Sequence, residues 1–170
     1  MSQLSMSVIK EDAKQYDEFI EIPVTAQGKE YIVKLWPFFS PTSVNKLINE
    51  LIEFKKKADE EKLKIEDKSW DDLIGYFIVR HFTDIKMTKS KKAKTIYDEF
   101  KSAINSKLFE IILKSIPEES MMFVHGKIME LAEMNAKLQE RVRQAQKEIQ
   151  ELPLENKDIL LKNRKQIPEA

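Results

Sequence analysis

The chain has 170 residues, 34% of them charged, with 29 basic and 29 acidic side chains and no cysteine. Balanced charge argues against global attraction to nucleic acid or to an acidic membrane, and the absence of cysteine excludes disulfide scaffolds and thiolate metal sites. The glycines Gly28, Gly75 and Gly126 are isolated, which argues against phosphate-cradling loops, where clustered glycines let the backbone approach the anion.

A compact protein of this length buries roughly 70% of the surface its unfolded chain exposes, so one domain with an appendage is expected. Residues 1–18 are polar and weakly patterned and are expected to form a flexible N-terminal arm. The stretch "MSQLSMSVIKEDAKQ" lacks the apolar block of a signal peptide. No apolar run approaches the ~20 residues of a membrane helix, and the expected location is the cytoplasm.

"FIEIPVTAQGKEYIVKLW" then alternates like a strand pair. Ile20, Ile22 and Val24 share one face, as do Tyr31, Val33 and Leu35. Gly28 sits in the intervening turn, where a positive φ costs it little. A lone hairpin is marginal in water, so the helices that follow are its expected cover. Pro41, Thr42 and Ser43 supply helix-start chemistry. Val44, Leu47, Ile48, Leu51 and Ile52 recur at helical spacing before "EFKKKADEEKLK", which reads as a solvated stretch or loop. Ser69 and Asp72 have capping-box spacing, ahead of an apolar face of Trp70, Leu73, Ile74, Phe77, Ile78 and Phe82. A third helix carries Ile96, Phe100, Ala103 and Ile104; "NSKLFEIILKSIPEE" gives a short fourth. Pro117 is placed to open the last helix from its first turn.

That last helix, over about 117–152, has the most ordered pattern. Val124, Ile128, Leu131, Asn135, Leu138, Val142, Ala145, Ile149 and Leu152 follow an unbroken alternation of four and three residues. These are the d and a positions of a heptad repeat, with Asn135 at an a position, where a buried Asn typically fixes register and partner number. His125, Ala132, Gln139 and Gln146 at e and Lys127, Met134, Arg141 and Glu148 at g do not make the opposite-charge pairs of a parallel homodimer. The first half is expected to dock on its own domain and the second to meet a partner; internal packing throughout is the plainer alternative. Met121, Met122, Met129 and Met134 add adaptable side chains that suit a variable partner or fill core gaps. The candidate partner-binding set is therefore Met121, Met122, Met129, Met134, Asn135, Leu138, Val142, Ile149 and Leu152. Self-association through residues 124–152 is a further option, and residues 153–170 are expected to be a mobile tail.

The remaining constellations favour structural readings. His81 and His125 lack neighbours at ligand or catalytic spacing. The acidic pairs Asp71–Asp72 and Glu118–Glu119 fall at helix starts, where the helix dipole favours them. Lys86, Lys89, Lys91, Lys92 and Lys94 could contact phosphates, but there is no Arg or interleaved aromatic for base stacking. A nucleic-acid-binding regulator using Lys86–Lys94 therefore ranks last among the binding readings. No metal or cofactor is expected, and neither is catalysis.

The fold class expected is mainly α with minor β: a helical bundle with an N-terminal β-hairpin, a body over 19–120, and a long C-terminal amphipathic helix. The order "EFIEIPV…EYIVKLWPF", "SPTSVNKLINELIEF", "HFTDIKM" and "INSKLFEIILKSIPEE" resembles the tail assembly chaperones of long-tailed bacteriophages and prophages of Gram-positive hosts, over residues 19–135. The resemblance implies a small helical protein of the host cytoplasm, without catalytic residues or cofactors. Its implied partner is the tape-measure protein, a helical client kept soluble during tail-tube assembly, with the tail-tube protein as a further candidate. An oligomeric helical scaffold joined through the heptad helix is the alternative function.

Overall fold

A computed structural model describes residues 3–151, with side chains through Ile149. Residues 1–2, Leu152 and the expected tail 153–170 lie outside the described residues. The fold is mainly α with a small antiparallel hairpin, as its periodicities predict. The chain divides into two units, Met1–His125 and Gly126–Ala170.

In the first unit, the expected arm carries a short helix, α1 (Met6–Asp12), and a 3-10 turn over Ala13–Asp17; neither buries a residue. Strands β1 (Ile20–Ala26) and β2 (Lys29–Leu35) pair with Ile22 opposite Val33 and Val24 opposite Tyr31. Gln27 and Gly28 have φ of 51° and 74°, the double positive φ of a two-residue turn whose twist matches the strands. Ile22, Val24, Val33 and Leu35 are buried as their alternation predicts, but Ile20 and Tyr31 are 45% and 50% exposed. The outer edge of β2 is partly covered by the segment that follows α3. Trp36 N donates to Phe82 O at 3.0 Å and Asp84 N to Lys34 O at 3.2 Å, while Lys34 N donates to Asp84 Oδ1 at 2.9 Å. Mid-strand Pro23 is tolerated because β1 is an edge strand.

Helix α2 (Pro41–Glu60) opens with Ser40 as N-cap, its hydroxyl accepting from Ser43 N at 3.2 Å. The helix runs well past the point where the charge-rich stretch suggested a loop. Phe54 and Ala58, each 2% exposed, continue the row begun by Leu47 and Leu51, so two apolar residues at i+3 and i+7 carry a charged segment into the core. Ile52 falls off that row and is 49% exposed. Helix α3 (Trp70–Phe82) is buried over seven consecutive residues, Leu73 to Val79, which marks it as the central helix. It packs against α2, α4 (Ala93–Ile104) and α5 (Lys107–Lys114). The Ser69 side chain makes no cap hydrogen bond, because the 3-10 turn Asp67–Ser69 leads directly into the helix and Ser69 is already helical. Trp70 is half-buried, and Ile104 is 41% exposed at the end of α4.

Phe54 meets Phe77 at 5.6 Å between ring centroids, and Tyr76 meets Phe100 edge-on at 5.9 Å. Gly75 lets α5 approach, since a Cβ there would stand 3.3 Å from Leu113 Cδ1. The last helix, α6 (Glu118–Glu151), starts after Pro117. Pro117 is the residue before the first turn rather than within it; its carbonyl accepts from Met121 N at 3.1 Å. No helix among the described residues is long and apolar enough to cross a membrane.

Candidate partner-binding surface

The start of α6 belongs to the core of the first unit. Glu118 and Glu119 occupy its first turn, where negative charge suits the helix dipole. The buried Ser120 hydroxyl donates to Pro37 O at 2.5 Å, across 83 residues of sequence. Val124, the first of the heptad positions, is fully buried.

From Gly126 onward the pattern persists and the burial does not. Ile128 and Leu131 are half-buried, and Asn135 is exposed. Leu138, Val142 and Ile149 are 57%, 48% and 37% exposed. Large apolar side chains at a and d positions on one stripe normally lie against a partner. The polar side of this helix carries short-range pairs instead: Lys127 with Glu130 at 2.7 Å and Arg143 with Glu140 at 4.0 Å. Such exposed pairs contribute little.

The helix divides the candidate methionines. At 100° per residue, Met122 and Met129 lie on the side opposite the Leu138–Val142–Ile149 stripe, while Met134 flanks it. Met122, Met129 and Met134 are 66%, 65% and 62% exposed, and Met121 is half-buried. The structure therefore brings together Met134, Asn135, Leu138, Val142 and Ile149, and separates Met122 and Met129 from them. Leu152 lies outside the described residues.

A second constellation was not legible in the sequence. Glu50 of α2 accepts from His81 Nε2 at 2.6 Å and from Arg80 Nε at 2.9 Å. The hydrogen bond with His81 holds the Glu50 carboxyl below its ordinary value, against its own desolvation, with Arg80 adding to the effect. The Nη1 end of Arg80 is enclosed, with no hydrogen-bond partner among the described residues. His81 also lines a cleft of about 390 Å³ with Tyr16, Trp36, Phe38, Ser40, Ser43 and Thr83. The polar groups around it have structural work. Ser40 caps α2 and donates to Ser43 Oγ at 2.9 Å, and Thr83 Oγ1 donates to Val79 O at 2.7 Å. No linear signal links Glu50 to His81, because they lie on different helices 31 residues apart.

The lysine run occupies the loop before α4 and its first turn, with Lys86, Lys89, Lys91, Lys92 and Lys94 all exposed. Its backbone is fastened to the body. Thr88 N donates to both carboxylate oxygens of Glu99, at 2.8 and 3.1 Å. Ala93 N and Lys94 N donate to the two oxygens of Glu61 at 3.0 and 2.9 Å.

The fold and this surface define a mainly helical protein with a β-hairpin and a heptad-patterned helix whose stripe is exposed beyond its first turns. The chain belongs to the YomO family, whose sequence model matches residues 6–163. It is 28% identical over 122 residues to the SPbeta prophage-derived protein YomO of Bacillus subtilis (strain 168), an alignment covering 70% of this chain and 69% of that protein. No solved structure matches the chain.

Proposed function

We propose that this protein is a phage- or prophage-encoded, non-enzymatic assembly chaperone that receives an amphipathic helical client along α6. The observation carrying this reading is the exposed stripe Leu138, Val142 and Ile149 on a helix whose start is anchored in a packed body. Such a stripe suits helix-in-groove or helix-on-helix recognition, in which anchors recur every three or four residues. Met134 beside the stripe adds a side chain that adapts to clients of varying sequence. The prophage origin of the relative in Bacillus subtilis supports a phage setting. Together with the resemblance of "INSKLFEIILKSIPEE" to tail assembly chaperones, it points to the tape-measure protein as the client.

Co-expression with the tape-measure protein of the same phage tests the proposal. A complex should be isolated and the client's soluble fraction should rise, and Leu138→Asp with Val142→Asp should abolish both effects. Unchanged client solubility with no isolable complex would overturn it.

A further inference from the structure

The occupied positions of α6 also specify how a second copy would cover the stripe. The stripe available runs from Ile128 to Ile149, because Val124 is fully buried within the first unit. In a parallel pair, each g position faces the e position five residues on in the other helix. Lys127 would then face Ala132, Met134 would face Gln139, and Arg141 would face Gln146, with no opposite charges brought together.

Reversing one helix changes every flanking contact. Take the register that sets Asn135 opposite Leu138, Leu131 opposite Val142, and Ile128 opposite Ala145. Flanking g positions then face each other, and Lys127 stands against Glu148 of the second copy, twice by symmetry. Met134 lies against Arg141 in the same way, so an apolar stem covers the long side chain of an arginine. The e positions pair Ala132 with Gln139, which brings no like charges together. The two Asn135 side chains fall in adjacent layers on either side of the dyad, about 4.5 Å apart along the axis, within reach of an amide–amide hydrogen bond. One register thus gives the polar a residue a partner and sets Glu148, the one acid among these g positions, against a basic one.

We propose that α6 pairs antiparallel with α6 of a second copy over Ile128–Ala145, with Lys127 against Glu148, and that this pairing covers the stripe from Ile128 to Ala145 when no client is present. The Lys127 ammonium pairs with Glu130 of its own helix at 2.7 Å, an exposed contact weak enough to be shared or exchanged. The six layers span only about 26 Å, so the pair is reversible, which suits a face that must be handed over. This goes beyond the client reading while using the same surface.

The cysteine-free chain allows a direct test without any client. Leu131→Cys and Val142→Cys proteins are prepared separately, then oxidised mildly alone and mixed. Antiparallel pairing predicts a mixed disulfide dimer at least about tenfold more abundant than either self-linked dimer. Two Val142 positions would be about 16 Å apart along the axis, beyond the ~4.4–6.8 Å Cα separation of a disulfide. Self-linking of Val142→Cys would show a parallel pair and overturn the proposal, as would a monomer at every concentration by light scattering. A second set guards against disturbance of the seam itself. Lys127→Glu or Glu148→Lys should each weaken the dimer about threefold to tenfold, the effect of one or two exposed ion pairs, and the double reversal should restore it. A double variant no tighter than either single one would also overturn the register. Because no client is present, failure here leaves the client-binding reading to be decided by its own co-expression experiment.

Discussion

Glu50 shows how one side chain on a charge-rich helix comes to hold the body together. Its two oxygens divide between His81 and Arg80, and each of those side chains is at most 20% exposed. Glu50→Gln should destabilise the protein by about 1.5–3 kcal/mol, the range for hydrogen bonds involving charged groups, read as a shift of the denaturation midpoint. The pH dependence has a definite sign. The folded carboxyl titrates below its ordinary 4.5, so its contribution is present above that value and is lost as pH falls through the lower, folded value. The gap between wild type and Glu50→Gln should therefore be widest near neutrality and should close as pH falls below 4.5 and through the lower, folded value. A gap that widened in acid would contradict the assignment. Tyr76 is a contrasting case. It is fully buried, and burial, reinforced by the Glu99 carboxylate, raises its phenol well above the ordinary value. It remains a donor to Glu99 Oε1, at 3.0 Å, so Tyr76→Phe should cost about 0.5–1.5 kcal/mol.

At the level of elements, the charged connections matter more than their composition suggests. Glu61, at the end of α2, accepts from the first two backbone N–H groups of α4, an N-cap supplied from 32 residues away. Glu61→Ala should cost about 0.5–2 kcal/mol, while replacing its exposed neighbour Lys62 by Arg should change nothing measurable in the denaturation midpoint. Gly75 is the contact point of α3 and α5. Gly75→Leu should cost about 1–3 kcal/mol by overpacking against Leu113, measured by thermal melting. The apolar spacing of α3 was enough to place that helix, and the Val44–Leu51 row placed α2. The length of α2 was obscured because six of the eight residues from Glu53 to Glu60 are charged; two buried side chains outweighed them. Ser69 has the spacing of a cap but makes no cap hydrogen bond, because the 3-10 turn before the helix already holds it in a helical conformation.

Across the whole molecule, apolar residues have two distinct fates. Phe77 is fully buried among Phe54 and Tyr76, and Phe77→Ala should cost about 3–5 kcal/mol, a large part of the ~5–15 kcal/mol that holds a typical domain folded. Leu138→Ser should leave the melting transition within about 0.5 kcal/mol of wild type, since Leu138 is 57% exposed. The same substitution should weaken self-association and client capture. Equal destabilisation by the two substitutions would mean that the α6 stripe is part of the core after all.

The sequence by itself determined the mainly helical class, the hairpin with its glycine turn, the central apolar helix and the heptad spacing of α6. Those features depend on local periodicity and backbone preference, which neighbouring residues suffice to express. Only the tertiary structure decided which of the patterned positions are covered. It buried Val124 and exposed Leu138 within one uninterrupted repeat. It also brought Glu50 to His81, and Glu61 to the start of α4. Burial and long-range hydrogen bonding depend on what the rest of the chain places alongside a residue, and periodicity carries no record of that.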